Sequence, residues 1–259
     1  MRGNRLNCFL PVRIDPTVGL LETLLVIEGK PISLGAHIRR LWRSAAELLG
    51  GPLPKTLVPS VRLAASALKL GRLSATVSWP SLSRPQCHVV ATEVNSDDVF
   101  PPTGEGRSLH TVATDRSLGP HKWADRSWVK DLDLPSGVSV PLLVSGQTKN
   151  VLEAVRGNIF LLNKQTLVTP ALDRRILPGI TRLQTIKIAR DMGIQVAERC
   201  VALDELFTAD EVFMTGSVRG IEPISAIDGT DIRSGTKTLE LATHLRRVWF
   251  QAESESISS

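Results

Sequence analysis

Apolar positions early in the chain follow two different periods. In Leu21-Glu22-Thr23-Leu24-Leu25-Val26-Ile27 they run nearly unbroken through β-favouring side chains, and Glu28-Gly29-Lys30-Pro31 interrupts them with turn chemistry. This predicts a strand that returns through Ile32-Ser33-Leu34 as a hairpin. From Ala36 to Leu49 the period lengthens: Ile38, Leu41, Trp42, Ala45, Leu48 and Leu49 recur at steps of three and four, one face of a helix, and Gly50-Gly51-Pro52 ends it. A second helix is expected over Pro59 to Leu70, closed by Gly71, followed by strands at Leu73 to Trp79 and His88 to Val94. The first hundred residues read as a small α+β unit.

Phe100-Pro101-Pro102-Thr103-Gly104-Glu105-Gly106 and Leu118-Gly119-Pro120 are breakers, and the handover to a second unit is expected between them. The expected division is a small α+β domain over residues 1–114 and a larger domain over 115–259. Within the latter the pattern predicts helices at Trp123 to Leu132, Ile180 to Met192, Leu203 to Ala209 and Gly235 to Phe250. Strands are predicted at Val140 to Val144, Asn158 to Leu162, Leu167 to Thr169, Val196 to Val201 and Glu211 to Thr215, and the polar tail Gln251 to Ser259 is expected to fray. No internal repeat is visible.

Composition narrows the function classes. The 259 residues are 42% hydrophobic and 22% charged, ordinary for a folded chain and unlike a collagenous or disordered one. Three distant cysteines, Cys8, Cys87 and Cys200, with no CxxC pair, argue against a disulfide scaffold or a zinc site and for a reducing, cytoplasmic setting. No apolar run approaches membrane-spanning length, and Met1 to Leu10 lacks a signal-peptide core. Lys plus Arg number 31 and Asp plus Glu 26, a net charge of +5. The cations are scattered, and with no tyrosine and only 6 phenylalanines the stacking platforms of nucleic-acid binders are scarce. An anionic small molecule is the expected partner, with neither nucleic acid nor membrane.

Two segments resemble anion cradles. Leu177-Pro178-Gly179-Ile180-Thr181-Arg182 opens a helix whose first N–H groups lack intrahelical partners, and Thr215-Gly216-Ser217 puts hydroxyls beside a glycine after a strand. Either could equally be a plain turn. Glu153, among apolar neighbours, reads alone as a strand-end charge facing water, and Lys122 as a loop lysine, unless burial makes its amine chemically useful.

The order of these elements resembles the class IV aminotransferase family, the fold-type IV pyridoxal phosphate enzymes. The matching stretches are His37-Ile38-Arg39-Arg40-Leu41, the Lys122 segment, Glu153 through Phe160, Leu177 through Arg182, and Gly216-Ser217 with Ile221-Glu222-Pro223-Ile224. The resemblance implies an α+β fold of two domains, a small N-terminal α/β sandwich and a larger C-terminal pseudo-barrel, assembled as a homodimer. It implies pyridoxal 5'-phosphate as cofactor, with Lys122 as its Schiff-base lysine, Glu153 on the pyridine nitrogen and Asn158 beside the ring. Arg40, the Ile180 and Thr181 amides and Ser217 would hold the phosphate. Lys30 through Leu41 and the segment around Lys122 look closest to aminodeoxychorismate lyases, and Thr23 falls where those lyases carry a threonine near the reacting carbon. The implied reaction is release of pyruvate and 4-aminobenzoate from 4-amino-4-deoxychorismate in folate synthesis. The alternatives are an aminotransferase acting on branched-chain or D-amino acids and, remotely, a non-catalytic binding protein. The family's tyrosine partner for the cofactor's phenolic oxygen has no counterpart, since the chain has no tyrosine.

Overall fold

A computed structural model describes residues 16–49, 51–80, 84–99, 106–114, 118–130, 132, 134 and 140–254. Cys8 and the end of the polar tail lie outside them.

The predicted hairpin exists but turns earlier than its sequence suggests. Strand β1 (Leu20–Ile27) pairs with a two-residue β2 (Lys30–Pro31), Val26 facing Pro31. Ile32-Ser33-Leu34 is not a strand, because Ser33 takes a positive φ of 57° and helix α1 (Leu34–Leu49) starts at once. Helix α2 (Leu57–Ser66) ends four residues before the expected Leu70, and Gly71 lies inside a strand. Leu70 is drawn into β3 (Leu70–Ser78) by the antiparallel ladder with β1, where it stands opposite Ile27. β4 (Gln86–Glu93) completes a four-stranded sheet of order β2-β1-β3-β4. Leu24, Leu41, Val61, Leu73 and Val77 bury its core beneath α1 and α2.

After the short helix α3 (Ser96–Val99), β5 (Arg107–Thr114) enters a second sheet with β6 (Val140–Ser145), β7 (Val151–Ala154), β8 (Asn158–Asn163) and β9 (Thr166–Thr169). Helix α4 (Ile180–Asp191), β10 (Gln195–Glu198), α5 (Leu203–Thr208), β11 (Glu211–Gly216), β12 (Gly220–Ile227), β13 (Thr230–Asp231) and α6 (Lys237–Ser254) follow. The path of the second sheet runs β10-β9-β8-β11-β12-β5-β6-β7, with β13 on the side of β12. β5 therefore belongs to the larger sheet although it precedes residue 114, so the handover between sheets falls ahead of Arg107. The expected helix over Trp123 to Leu132 is absent among the described residues of that stretch apart from a 3-10 turn, Ser127–Val129. Trp123 is instead bridged to Leu20, and Asp125 takes the N–H and hydroxyl of Ser127 at 2.9 and 2.7 Å, which starts the turn.

The two sheets share apolar material. Leu25 and Ile27 of β1 lie in one cluster with Phe160, Phe213 and Trp249, and the two phenylalanine rings stack at 5.0 Å. This contact sets the cleft between the sheets.

Candidate active site

Backbone pairing carries Lys122 to the cleft. The N–H of Leu21 donates to the Lys122 carbonyl at 2.8 Å, and Ala124 N–H to Gly19 at 2.9 Å, so the loop runs as a short edge beside β1. The flanking rings pin it: Trp123 Nε1 donates to the Leu118 carbonyl, and His121 Nδ1 meets Ser44 Oγ on α1 at 3.1 Å. Burial first, and the charge of Arg40 second, pull the Lys122 amine from 10.5 to about 8, while Glu22 opposes the shift.

Glu153 lies in β7, and the sheet buries it rather than turning it to water. Its Oε2 accepts the Leu177 N–H at 3.1 Å and an amide hydrogen of Asn158 at 3.5 Å, and Asn158 Nδ2 also donates to the Leu177 carbonyl. Burial raises Glu153 to about 7, against the Leu177 bond and the charges of Arg126, Lys122 and Arg40. A carboxyl poised near neutrality can share a proton with a basic nitrogen.

Both suspected anion cradles open into the same pocket as Lys122 and Glu153. Gly179 caps α4 without a side-chain bond, so the Ile180 and Thr181 N–H groups lie free in the first turn of a twelve-residue helix. Gly179 has no room for a side chain, as a Cβ would sit 2.0 Å from Asn158 Oδ1. Opposite stand Thr215, Gly216 and Ser217, at the tight turn joining β11 to β12. Thr215 Oγ1 and Arg182 Nε are buried without a hydrogen-bond partner among the described residues.

Arg40 reaches this pocket from α1, with Nη1 donating to the Pro178 carbonyl at 3.2 Å. Its other nitrogens hold Glu22: Nε to Oε1 at 2.9 Å and Nη2 to Oε2 at 2.6 Å. His37 Nδ1 meets the same Oε2 at 2.7 Å. Burial alone would raise the Glu22 carboxyl, but the Arg40 charge and the bonds from His37 and Arg40 outweigh it and hold the pKa at about 2. His37 is pushed down, by burial first, against the pull of Glu22.

Of the residues expected at the site, Lys122, Arg40, Glu153, Asn158, Ile180, Thr181 and Ser217 all line this pocket. Thr23 does not. It lines a second cavity, which Lys122 also borders. Glu22, Arg126 and Thr215 are additions. Glu22 left a trace: His37 and Arg40, three apart, share one face of α1, and an arginine on a buried face needs an acid. Arg126 and Thr215 left none.

A cleft between an antiparallel and a mixed sheet, lined by a half-buried lysine, a buried carboxyl and the start of a helix, has the architecture of fold-type IV enzymes. Residues 136–227 match the family model for amino-transferase class IV. Over that stretch the chain is similar to the class IV aminotransferases, and its fold is that of the family's solved structures. A branched-chain-amino-acid aminotransferase of Arabidopsis thaliana is 42% identical over 102 residues, 39% of this chain and 27% of that protein. The match thus spans about a quarter of the length of this curated relative. The 4-amino-4-deoxychorismate lyase of Pseudomonas aeruginosa superposes with a TM-score of 0.74 at 27% identity, covering 92% of this chain and 94% of the other. The branched-chain aminotransferase of Thermoproteus uzoniensis shares the fold at TM-score 0.75 and 24% identity, over 94% and 91% of the two chains.

Proposed function

We propose that the chain is a pyridoxal 5'-phosphate enzyme whose substrate carries an amine, and that its reaction is the conversion of 4-amino-4-deoxychorismate to 4-aminobenzoate and pyruvate. The observation that carries the cofactor reading is the convergence of Lys122, Glu153 and two anion cradles on one pocket. The uncapped start of α4 and the Arg40 side chain, both on that pocket, fit a phosphate as acceptor. In this reading the Ile180 and Thr181 amides, Ser217 and Arg40 hold the phosphate, Glu153 bonds the ring nitrogen, Asn158 braces Glu153, and Lys122 is the covalent anchor. When bound, the cofactor supplies an electron sink for the pair left when a proton departs from the amine-bearing carbon.

The chain's own part is proton handling. A lysine lowered to about 8 is neutral often enough near neutral pH to accept that proton, and the Arg40 and Arg126 charges beside it help to keep the waiting amine in its neutral form. Thr23, on the other cavity facing Lys122, is assigned a hydrogen bond to the substrate near the reacting carbon. Loss of the carbon-bound proton to Lys122 and departure of the enolpyruvyl group, which regains a proton, give the aromatic amine and pyruvate with no other reactant.

Support for the lyase comes from the Pseudomonas lyase, similar over nearly the whole of both chains, and from Thr23. The aminotransferase reading is favoured by the higher local identity to branched-chain aminotransferases. Acceptor dependence separates them. A lyase releases pyruvate and 4-aminobenzoate from aminodeoxychorismate without a keto acid. Conversion of amino acids only when a 2-keto acid is added, with aminodeoxychorismate untouched, would establish the alternative. A homodimer and a cytoplasmic setting complete the proposal. Among the described residues no helix is long and apolar enough to cross a membrane.

A further inference from the structure

The chain has no tyrosine, so a different group must answer the phenolic oxygen of the cofactor. The polar side chains around Lys122 and Glu153 are mostly committed. Arg40 is held by Glu22 and the Pro178 carbonyl, and Arg182 by the Pro170 carbonyl and Glu198, both at 2.9 Å. His121 turns Nδ1 to Ser44, and its Nε2 lies 4.0 Å from Glu47. Asn158 Nδ2 serves Glu153 and the Leu177 carbonyl, and Thr215 and Ser217 stand at the turn assigned to the phosphate. Arg156 is exposed in the turn from β7 to β8.

Arg126 is different. Its backbone belongs to the Lys122 segment, four residues on, and its guanidinium crosses to the end of β7, where Nη1 donates to the carbonyl of Val155, two residues past Glu153. At 3.4 Å that bond is long, and it is the only one Arg126 makes among the described residues. Nε and Nη2 have no partner there, and no carboxylate pairs with the group. The side chain lines both the pocket of Lys122 and Glu153 and the second cavity beside it. Burial pushes its pKa down against the pull of Glu153, and of the cations acting on Glu153 it is the strongest, ahead of Lys122 and Arg40. A guanidinium partly stripped of water and short of acceptors is costly unless a ligand supplies one.

In pyridoxal phosphate the ring carbon that carries the aldehyde is para to the ring nitrogen. The phosphate arm leaves one flank of the line between them and the phenolic oxygen the other. With Lys122 and Glu153 at the two ends and the phosphate toward α4 and the turn between β11 and β12, the second flank calls for a donor that reaches from the lysine's segment to the end of the glutamate's strand. Arg126 has that reach. We propose that Arg126 is a cofactor-binding residue that donates to the phenolic oxygen, in the place a tyrosine would hold. The inference rests on the cofactor reading and deepens it. A guanidinium differs from a tyrosine hydroxyl in bringing a full positive charge, which stabilises the ionised form of that oxygen.

The test is reconstitution of the resolved enzyme with pyridoxal phosphate and with its 3-deoxy analogue, which lacks only the phenolic oxygen, measuring both dissociation constants. The wild-type enzyme is expected to prefer pyridoxal phosphate, and Arg126→Met to cut that preference about tenfold, the worth of one charge-assisted hydrogen bond. A residue that only shapes the fold would weaken both cofactors alike. Should Arg126→Met fail to fold, Arg126→Gln, which can still donate to the Val155 carbonyl but carries no charge, decides the matter with the same expected loss. Arg156→Gln is expected to leave the preference unchanged. The visible band of the bound cofactor gives a second readout. With the cation gone, the proton shared between the phenolic oxygen and the lysine nitrogen is held to higher pH, and the midpoint of the band's titration is expected to rise by about 1–3 units. A preference or a midpoint that stays put in the Arg126 variants, or a loss that follows Arg156→Gln instead, overturns the assignment while leaving the cofactor reading intact. A protein that takes up neither cofactor overturns that reading and this inference with it.

Discussion

Lys122 and Glu153 face one pocket with pKa values drawn toward each other, the lysine down to about 8 and the carboxyl up to about 7, both through burial. Each shift costs the unliganded fold stability. Between pH 4.5 and 7 the folded Glu153 holds a proton that the unfolded chain has released, so stability falls as pH rises through that window. Between 8 and 10.5 the unfolded lysine keeps a proton that the folded one has lost, so stability recovers with rising pH. Glu153→Gln should therefore stabilise the cofactor-free protein at pH 8 by roughly 2–3 kcal/mol while abolishing activity, and the advantage should vanish below pH 4.5. Denaturant melts of both proteins across pH check the sign. Lys122 is also expected to carry the pyridoxyl label after borohydride reduction. A label mapped to Lys130 or Lys149 would move the reactive centre elsewhere. Sequence alone could name these two residues through family order, but not their burial: Glu153 reads equally well as a strand-end charge until β6 and β8 close around it.

At the scale of elements, the joint between β1 and α1 links the small sheet to the anion cradle. Arg40 spends two nitrogens on Glu22 and one on the Pro178 carbonyl, directly before the free amides of α4. Arg40→Ala would strand a buried carboxylate, a change worth about 3–5 kcal/mol, and should weaken cofactor binding as well. Arg40→Ala combined with Glu22→Gln should recover thermal stability without recovering cofactor affinity, which separates the two roles. Gly179→Ala is expected to be nearly as damaging to cofactor binding, because its Cβ would collide with Asn158 and push the start of α4 off the pocket. Helices with a clean 3.6 period, α1 and α4, were legible within two residues at each end. Strands β5 and β12 were not. Breakers on both sides of β5 drew attention to a boundary, and Pro223 inside β12 is a residue that argues against a strand. The ladder tolerates Pro223, which stands opposite Phe213. The segment after Lys122 misled in the other direction, since its apolar spacing suits a helix that the bridge to Leu20 forbids.

At the scale of the molecule, the small sheet with α1 and α2 supplies Arg40 and Thr23, and the large sheet supplies Glu153 and Ser217, so neither half holds a complete site. The division at residues 1–114 and 115–259 is a proposal that β5 already strains, because that strand lies N-terminal to the boundary and inside the larger sheet. Sedimentation equilibrium is expected to give twice the chain mass of 28.2 kDa, and a fully active monomer would refute the proposed homodimer.

β5 has a further bearing on how the chain comes to its shape during synthesis. It lies parallel between β6, its near neighbour in sequence, and β12, more than a hundred residues later, with Arg107 opposite Ile224. One flank of the strand can zip as soon as Ser145 has left the ribosome. The other stays bare until the chain has been made past Ile227. Throughout that interval the nascent protein carries an apolar edge of unpaired amides, the kind of template on which other chains add. The late pairing also closes a long loop, which places this protein among slow folders. Its half-made form is thus the one most exposed to aggregation and most in need of a chaperone's cover.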